Sequence, residues 1–441
     1  MEATQHLTFT ASMAIASLVF ISAYIIVFSE VFHRTTSALL GAVVMVAVGE
    51  YFGFYDQETA LKAIDANTLI LLASMMMLIT MLKPTGGFEY IGIKIVRLAV
   101  GSSVKLMVYL SLTVSIISMF LDNVTTILIF APLTVLITRL VHINPMPYLV
   151  AEAIMSNIGG IATLIGDPPN LMIGSAAKIG FTDFVWHMGP IVFLTWLSSI
   201  LVLLFTFRKE LRSQQFEELH LDQNNAINNP RHLFYVLFAL AVVIVLFFIH
   251  HHLHLYPAFV ALIGVVIAMP LIRPRPEALF GEVEWSVLFF FAGLFVIVGG
   301  LEASGLLHLI GLQLAELAKN PEDLLLTCIA LMWGAALVSA IVDNIPFTVT
   351  MIPIILSLES YGVNILPLWW ALALGSGLGG NGTHIGATAN IICVAEAERS
   401  GIEAARITPL LWLKKALPTT FFSLIVSSII FSLLINYMSV L

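Results

Sequence analysis

Apolar runs near residues 10–32, 36–54 and 66–82 are separated by His33-Arg34 and by the polar stretch 56–65. Each is long enough for a helix crossing the hydrocarbon of a bilayer, roughly 30 Å or about 20 residues. An amphipathic piece follows at 88–100, where Lys94 and Arg97 suit a helix lying in the interface. Residues 104–140 then form two apolar arms joined at Asp122-Asn123. Thr125, Thr126 and Pro132 follow that tip directly, so the pattern predicts a re-entrant hairpin rather than two full crossings. Residues 147–180 read as one helix broken at Gly159-Gly160 and at Gly166-Asp167-Pro168-Pro169-Asn170, and 188–207 as another. The long polar run 208–232 reads as a linker on the cytoplasmic side.

The plan repeats after the linker. Helices are predicted near 233–250, 257–272 and 286–301, an amphipathic piece at 303–319, a hairpin at 322–358, a broken helix at 367–397 and a last helix at 416–438. At an offset of 219 to 221 residues, Glu58 matches Glu277, Gly86 matches Gly305, Asp122-Asn123 match Asp343-Asn344, and Pro132 matches Pro353. Ser156 matches Ser376, Gly159-Gly160 match Gly379-Gly380, Thr163 matches Thr383, Gly166 matches Gly386 and Asn170 matches Asn390. So many matches in order, at the same kinds of helix break, mark an internal duplication. The expected fold is therefore an all-α integral membrane protein of two repeats, 1–207 and 233–441. Each has five transmembrane helices with a re-entrant hairpin and a broken helix. Because five is odd, the second repeat enters the membrane from the opposite side, which gives inverted topology.

Composition agrees with a membrane protein and against a soluble enzyme: 59% of residues are hydrophobic and 10% charged, where average domains carry about a quarter charged. A net charge of -8 leaves no basic footprint for nucleic acid. Basic residues also orient the chain. With the N-terminus outside, only Lys62, Lys178 and Lys319 fall outside and every other Lys and Arg falls inside. Both termini are thus expected outside, in a bacterial-type inner membrane, with the two hairpin tips meeting near the midplane. Residues 1–10 hold no Lys or Arg, so the first helix reads as retained rather than as a cleaved signal peptide.

A helix broken inside the membrane offers backbone N–H groups at one half-helix end and carbonyls at the other, which are partial charges without a titratable group. Beside the breaks stand Asn123, Thr125, Ser156, Asn157, Thr163, Asn170, Asn344, Thr348, Ser376, Asn381, Thr383, Thr388 and Asn390. These side chains suit hydrogen bonding to a solute or oxygen coordination of a hard cation. A single Ser or Thr is more simply helix packing, whereas asparagines duplicated at irregular backbone call for a common cause. Asp122, Asp167 and Asp343 are carboxylates suited to binding a proton or Na+, or to capping a half-helix. Asp167 faces Ala387 in the repeat, and a proton carrier need occur only once, which makes it the sharper candidate for coupling. Glu152, opposite Leu372, reads as an extension of the proton path or, more simply, as an interfacial carboxylate. The His250-His251-His252-Leu253-His254 run looks like a ligand set, but its place at a helix end makes an exposed loop the simpler account. No metal site and no cofactor are expected. Cys328 and Cys393 write no disulfide framework, and no nucleophile–base spacing supports an enzyme.

The runs 122–126, 156–170, Asp343-Asn344-Ile345-Pro346-Phe347-Thr348 and Gly379-Gly380-Asn381-Gly382-Thr383 resemble the ion transporter superfamily. Within it they are most similar to the branch of the arsenical pump membrane protein (ArsB), the NhaD-type sodium/proton antiporters and the melanosomal P protein. The resemblance implies solute bound between the hairpin tips and moved by an elevator-like or rocking motion, often in a homodimer. Dicarboxylate carriers of the superfamily have Ser-Asn-Thr at both tips, where this chain has Asp122-Asn123-Val124 and Asp343-Asn344-Ile345. A carboxylate at each tip disfavours a dianion by like-charge repulsion. The resemblance therefore implies proton-coupled efflux of arsenite or antimonite, with Na+/H+ antiport as the alternative and anion carriage third. Arsenite near neutral pH is an uncharged trihydroxide that Asn, Thr and Ser can hydrogen-bond, and two cysteines cannot supply a three-thiolate site. The partners implied are that solute, H+ or Na+, the lipid bilayer and, if the arsenical-pump likeness extends so far, a soluble ATPase subunit.

Overall fold

The computed structural model of the chain describes residues 9–29, 31–213, 226–310, 321–341 and 344–440. Asp343, much of the linker and the second amphipathic piece from residue 311 onward lie outside them. Helices α1 (Ala11–Ser29), α2 (Arg34–Phe52), α3 (Gln57–Ala63) and α4 (Ala66–Leu82) build the opening of the first half. Aspartates set two of the starts. Asp56 accepts the Thr59 N–H at 2.7 Å, and Asp65 accepts the Thr68 N–H and hydroxyl at 3.3 and 2.6 Å, which satisfies backbone donors that a helix start leaves open.

Next come α5 (Gly87–Ala99), the hairpin arms α6 (Ser103–Ser118) and α7 (Asn123–Leu140), the broken pair α8 (Met146–Gly160) and α9 (Pro168–Ala177), then α10 (Phe181–Thr206) and the short α11 (Arg208–Ser213). α5 buries Phe88, Gly92, Ile95, Val96 and Ala99 against the hairpin arms. The second half runs α12 (Pro230–Ile249), α13 (Pro257–Ile272), α14 (Pro276–Gly281), α15 (Trp285–Ala303), the hairpin arms α16 (Pro321–Ile341) and α17 (Asn344–Glu359), the broken pair α18 (Leu366–Gly379) and α19 (Thr388–Arg399), and α20 (Pro409–Leu433). Among the described residues eight helices are long and apolar enough to cross a membrane. Large apolar side chains such as Val43, Phe205, Phe234 and Val245 face outward from them. Such a surface is stable in lipid and not in water.

Packing pairs recur between the halves with exchanged partners. α1 packs on α2 as α12 packs on α13, and α2 packs on α15 as α13 packs on α4. Those six helices form a frame. Inside it α6 packs on α8 as α16 packs on α18, and α7 packs on α19 as α17 packs on α9. Each hairpin thus lays one arm on its own broken helix and the other on that of the opposite half.

Two glycines make the first of these contacts possible. A Cβ on Gly159 would stand 2.2 Å from the Ser115 carbonyl oxygen, and one on Gly379 would stand 2.3 Å from that of Ala336. The hydroxyls then join the same elements: Ser118 donates to the Ser156 carbonyl and Ser339 to the Ser376 carbonyl, both at 2.7 Å. Alanine at Gly159 is therefore expected to lower stability by about 1–3 kcal/mol through overpacking. Gly334→Ala, where a Cβ meets nothing within 4 Å in mid-helix, is expected to be neutral or stabilising by up to about 1 kcal/mol. Thermal unfolding in detergent, followed by tryptophan fluorescence, checks this; equal melting temperatures for the two variants would contradict it.

Candidate functional site

Four half-helices start at one place. α7, α9, α17 and α19 begin at Asn123, Pro168, Asn344 and Thr388, and Val124, Thr125, Pro168, Ile345 and Thr388 from their first turns line a common cavity of about 30 Å³. That volume suits one or two waters. Each helix start carries roughly half a positive charge, so the convergence favours oxygen acceptors. Carboxylates stand there in answer. Asp122 lines the cavity and caps α7, accepting the Thr125 N–H at 2.9 Å and its hydroxyl at 2.6 Å.

Asp167 lies beside this cavity at the start of α9, 1% exposed. Its side chain makes no capping bond to its own helix. Instead the carboxylate accepts amide hydrogens from both tips, from Asn344 Nδ2 at 3.2 and 3.4 Å and from Asn123 Nδ2 at 3.5 Å. The network continues across the halves. Asn123 also donates to Asn157 Oδ1 at 2.9 Å, and Asn157 Nδ2 donates to Asn381 Oδ1 at 2.9 Å and Asn390 Oδ1 at 3.1 Å. All five asparagines are buried. The contact has an apolar counterpart: Ile161 and Gly377 stand 220 residues from Asn381 and Asn157. They pack so closely that a Cβ on Gly377 would lie 2.4 Å from Ile161 Cγ1.

The other sequence candidates serve the backbone. Asn170 Nδ2 donates to the Gly160 and Thr163 carbonyls, and Asn390 Nδ2 to those of Gly380 and Thr383, so each closes its own helix break. Thr163 donates to the Met119 carbonyl and Thr383 to that of Ala340, tying each break to its hairpin. Ser156 and Ser376 donate to Ala153 and Ala373 within their own helices, and Thr348 donates to the Asn344 carbonyl at 2.8 Å. Asp343 is outside the described residues.

Two expectations are corrected. Glu152 is not a surface carboxylate: it is 0% exposed, accepts the Thr134 hydroxyl at 2.5 Å and faces α7 in the protein interior. Nor is the histidine run wholly an exposed loop. His250 is 6% exposed, with Nδ1 bonded to the Leu255 carbonyl and Nε2 accepting the Phe181 N–H, while His251, His252 and His254 are exposed.

Sequence reading missed Arg34 and Glu284, which complete the cavity wall with Leu72, Met76 and Phe290. Arg34 opens α2 and donates to the Thr388 hydroxyl at 2.9 Å. In the sequence it reads as a boundary charge between two apolar runs. A signal was present, because residues 253–257, its counterparts in the second half, contain no Lys or Arg.

Residues 24–375 match the family model described as "Citrate transporter". Relatives of similar length include a "46 kDa membrane protein" of Mycobacterium leprae, 36% identical over 400 residues that cover 88% of this chain and 91% of that protein. An "Uncharacterized transporter" of Mycobacterium tuberculosis is 37% identical over 395 residues, with the same coverage. The human "P protein" is 32% identical over an alignment of 471 positions, gaps included, that covers 88% of this chain and 56% of that longer protein. In fold, the chain is similar to the crystal structure of the Alcanivorax borkumensis YdaH transporter, with a TM-score of 0.60 at 15% identity, covering 96% of this chain and 98% of that one.

Asn157 holds the network together, so Asn157→Ala leaves buried amide groups of Asn123, Asn381 and Asn390 short of a partner. Stability is expected to fall by about 1–3 kcal/mol, read as a lower unfolding temperature in detergent. An unchanged unfolding temperature would show that the network contributes nothing to the fold.

Proposed function

The chain belongs to the citrate transporter family, and from that premise we propose a proton-coupled secondary transporter of a small, oxygen-rich solute, with arsenite or antimonite carried outward as the leading form. One observation carries the reading. The buried Asp167 carboxylate is held by an amide from each hairpin tip. Hydrogen bonds to a charged acceptor are roughly twice as strong as neutral ones. A proton arriving on Asp167 therefore loosens both tips together, and by linkage parting the tips changes the affinity for the proton.

The choice of solute rests on size and charge. The cavity is small, and among the described residues four helix starts with Arg34 roughly offset the carboxylates of Asp122, Asp167 and Glu284 on or beside its wall. A near-balanced site favours an uncharged hydroxylated acid over a polyanion. Cys328 and Cys393 are buried and do not line the cavity, which favours oxygen over sulfur chemistry for As(III). A second reading, carriage of a carboxylate, is favoured by the family's description and by the guanidinium in the wall. Na+/H+ exchange would use the same oxygens. With the halves read as inverted repeats, 1–207 and 233–441 about the linker 208–232, both termini lie outside an inner membrane and the two tips reach the midplane from opposite faces.

In proteoliposomes with an imposed proton gradient, the protein is expected to move arsenite or antimonite without stimulation by Na+. Movement of citrate or succinate alone would favour the carboxylate reading, and Na+/H+ exchange without solute movement would overturn both. Asp167→Asn is expected to abolish proton coupling while retaining solute counterflow; full coupling in that variant would remove Asp167 from the mechanism. Cysteine labelling is expected to find position 252 accessible from outside and position 273 from inside, and the reverse result would invert the orientation.

A further inference from the structure

Arg34 reaches the cavity from the frame, whereas the half-helix starts around it belong to the hairpins and broken helices. Its helix α2 packs on α1 and α15. The guanidinium carbon lies 5.5 Å from the centroid of the Phe290 ring, and Nη1 donates to Thr388 Oγ1 at 2.9 Å. Electrostatics give no helix-based reason for a cation here. Arg34 is the first residue of α2 and touches the first residue of α19, and helix starts repel positive charge. What suits it is an acceptor oxygen in the cavity, where Asp122 and Glu284 share the wall. A guanidinium has five N–H donors in a planar fork. It is matched to a carboxyl or oxyacid group and unsuited to a bare cation.

We propose that Arg34 is a specificity-determining residue that hydrogen-bonds an oxygen of the transported solute, and that the Thr388 hydroxyl holds the guanidinium in place while the site is empty. This rests on reading the cavity as the solute site. It adds that the solute is an oxygen acceptor, and that recognition comes from the frame as well as from the tips.

The test compares Arg34→Gln, Arg34→Lys and Thr388→Val with wild type in proteoliposomes. Counterflow and proton movement are measured for whichever of arsenite, antimonite, citrate and succinate wild type carries, after thermal unfolding has shown that each variant is folded. Arg34→Gln is expected to raise the KM about 10- to 100-fold, the worth of one charge-assisted hydrogen bond, with protons moved per solute unchanged. Arg34→Lys is expected to fall between, and Thr388→Val to change the KM less than Arg34→Gln does, since it removes one hydroxyl from the wall and a competitor for the guanidinium together. A KM within twofold of wild type in Arg34→Gln overturns the proposal while leaving the transport reading intact. Thr388→Val raising the KM as far as Arg34→Gln also overturns it, because the pair is then a structural clasp. If Arg34→Gln does not fold, Arg34→Lys with a wild-type KM overturns the proposal, and a KM raised further there than in Thr388→Val supports it. Wild type that exchanges Na+ for protons and moves none of the four solutes overturns the cavity reading and the Arg34 proposal together.

Discussion

Backbone interrupted in the buried interior of the helix bundle must find every hydrogen-bond partner inside the protein, because no solvent reaches it to supply one. This constraint explains most of the duplicated polar residues. Asn170 and Asn390 close the two breaks, Thr163 and Thr383 tie them to the hairpins, and Ser118 and Ser339 tie the hairpins back to the first half-helices. With those groups spent on carbonyls, the breaks become fixed geometry. Four helix starts can then point at one small volume without fraying, and their combined field is available to whatever enters it.

Function is better sought where the duplication fails. The Asn157–Asn381 bridge has Ile161 against Gly377 as its counterpart, so one cross-contact between the halves is polar and the other apolar. Gly377 also leaves space toward the Asp167 carboxylate, whose Oδ2 would lie 3.6 Å from a Cβ there. Asp167 itself stands opposite Ala387, and Arg34 has no Lys or Arg as its counterpart. These unmatched residues belong to the same cluster of helix starts and asparagines. A symmetric scaffold treats its two faces alike; a carboxylate and a guanidinium without a match in the other half do not.

The helix breaks were legible in the sequence because Gly and Pro report backbone directly, and the hairpin tips because Asp-Asn stands out in apolar surroundings. Asp167 was legible through its missing partner. The division of labour among the polar residues was not, since a Thr that bonds a carbonyl and a Thr that lines a cavity look alike in one dimension. Thr163 and Thr125 illustrate the difference. Glu152 was misplaced because its depth depends on α7 crossing over it with Thr134, a contact between residues 18 apart on different helices. Arg34 was missed for the opposite reason. Positive charge at a helix end is normally a topology signal, and only the meeting of α2 with α19 makes this one part of a site.

The exchanged packing bears on how the protein would move. The frame pairs α2 with α15 and α13 with α4, while the centre pairs α7 with α19 and α17 with α9, so each group is knitted across both halves. Neither half can shift alone without tearing both sets of contacts. The polar bonds from frame to centre include Arg34 to Thr388 and the Tyr24 hydroxyl to the Pro346 carbonyl at 3.0 Å. Each reaches one of the half-helix starts that form the cavity. If the centre moves as a body against the frame, these bonds must break as the cavity changes sides, and a solute held by Arg34 would have to be released by the frame at the same step. Recognition and release would then be set by the contact that divides the moving part from the fixed one.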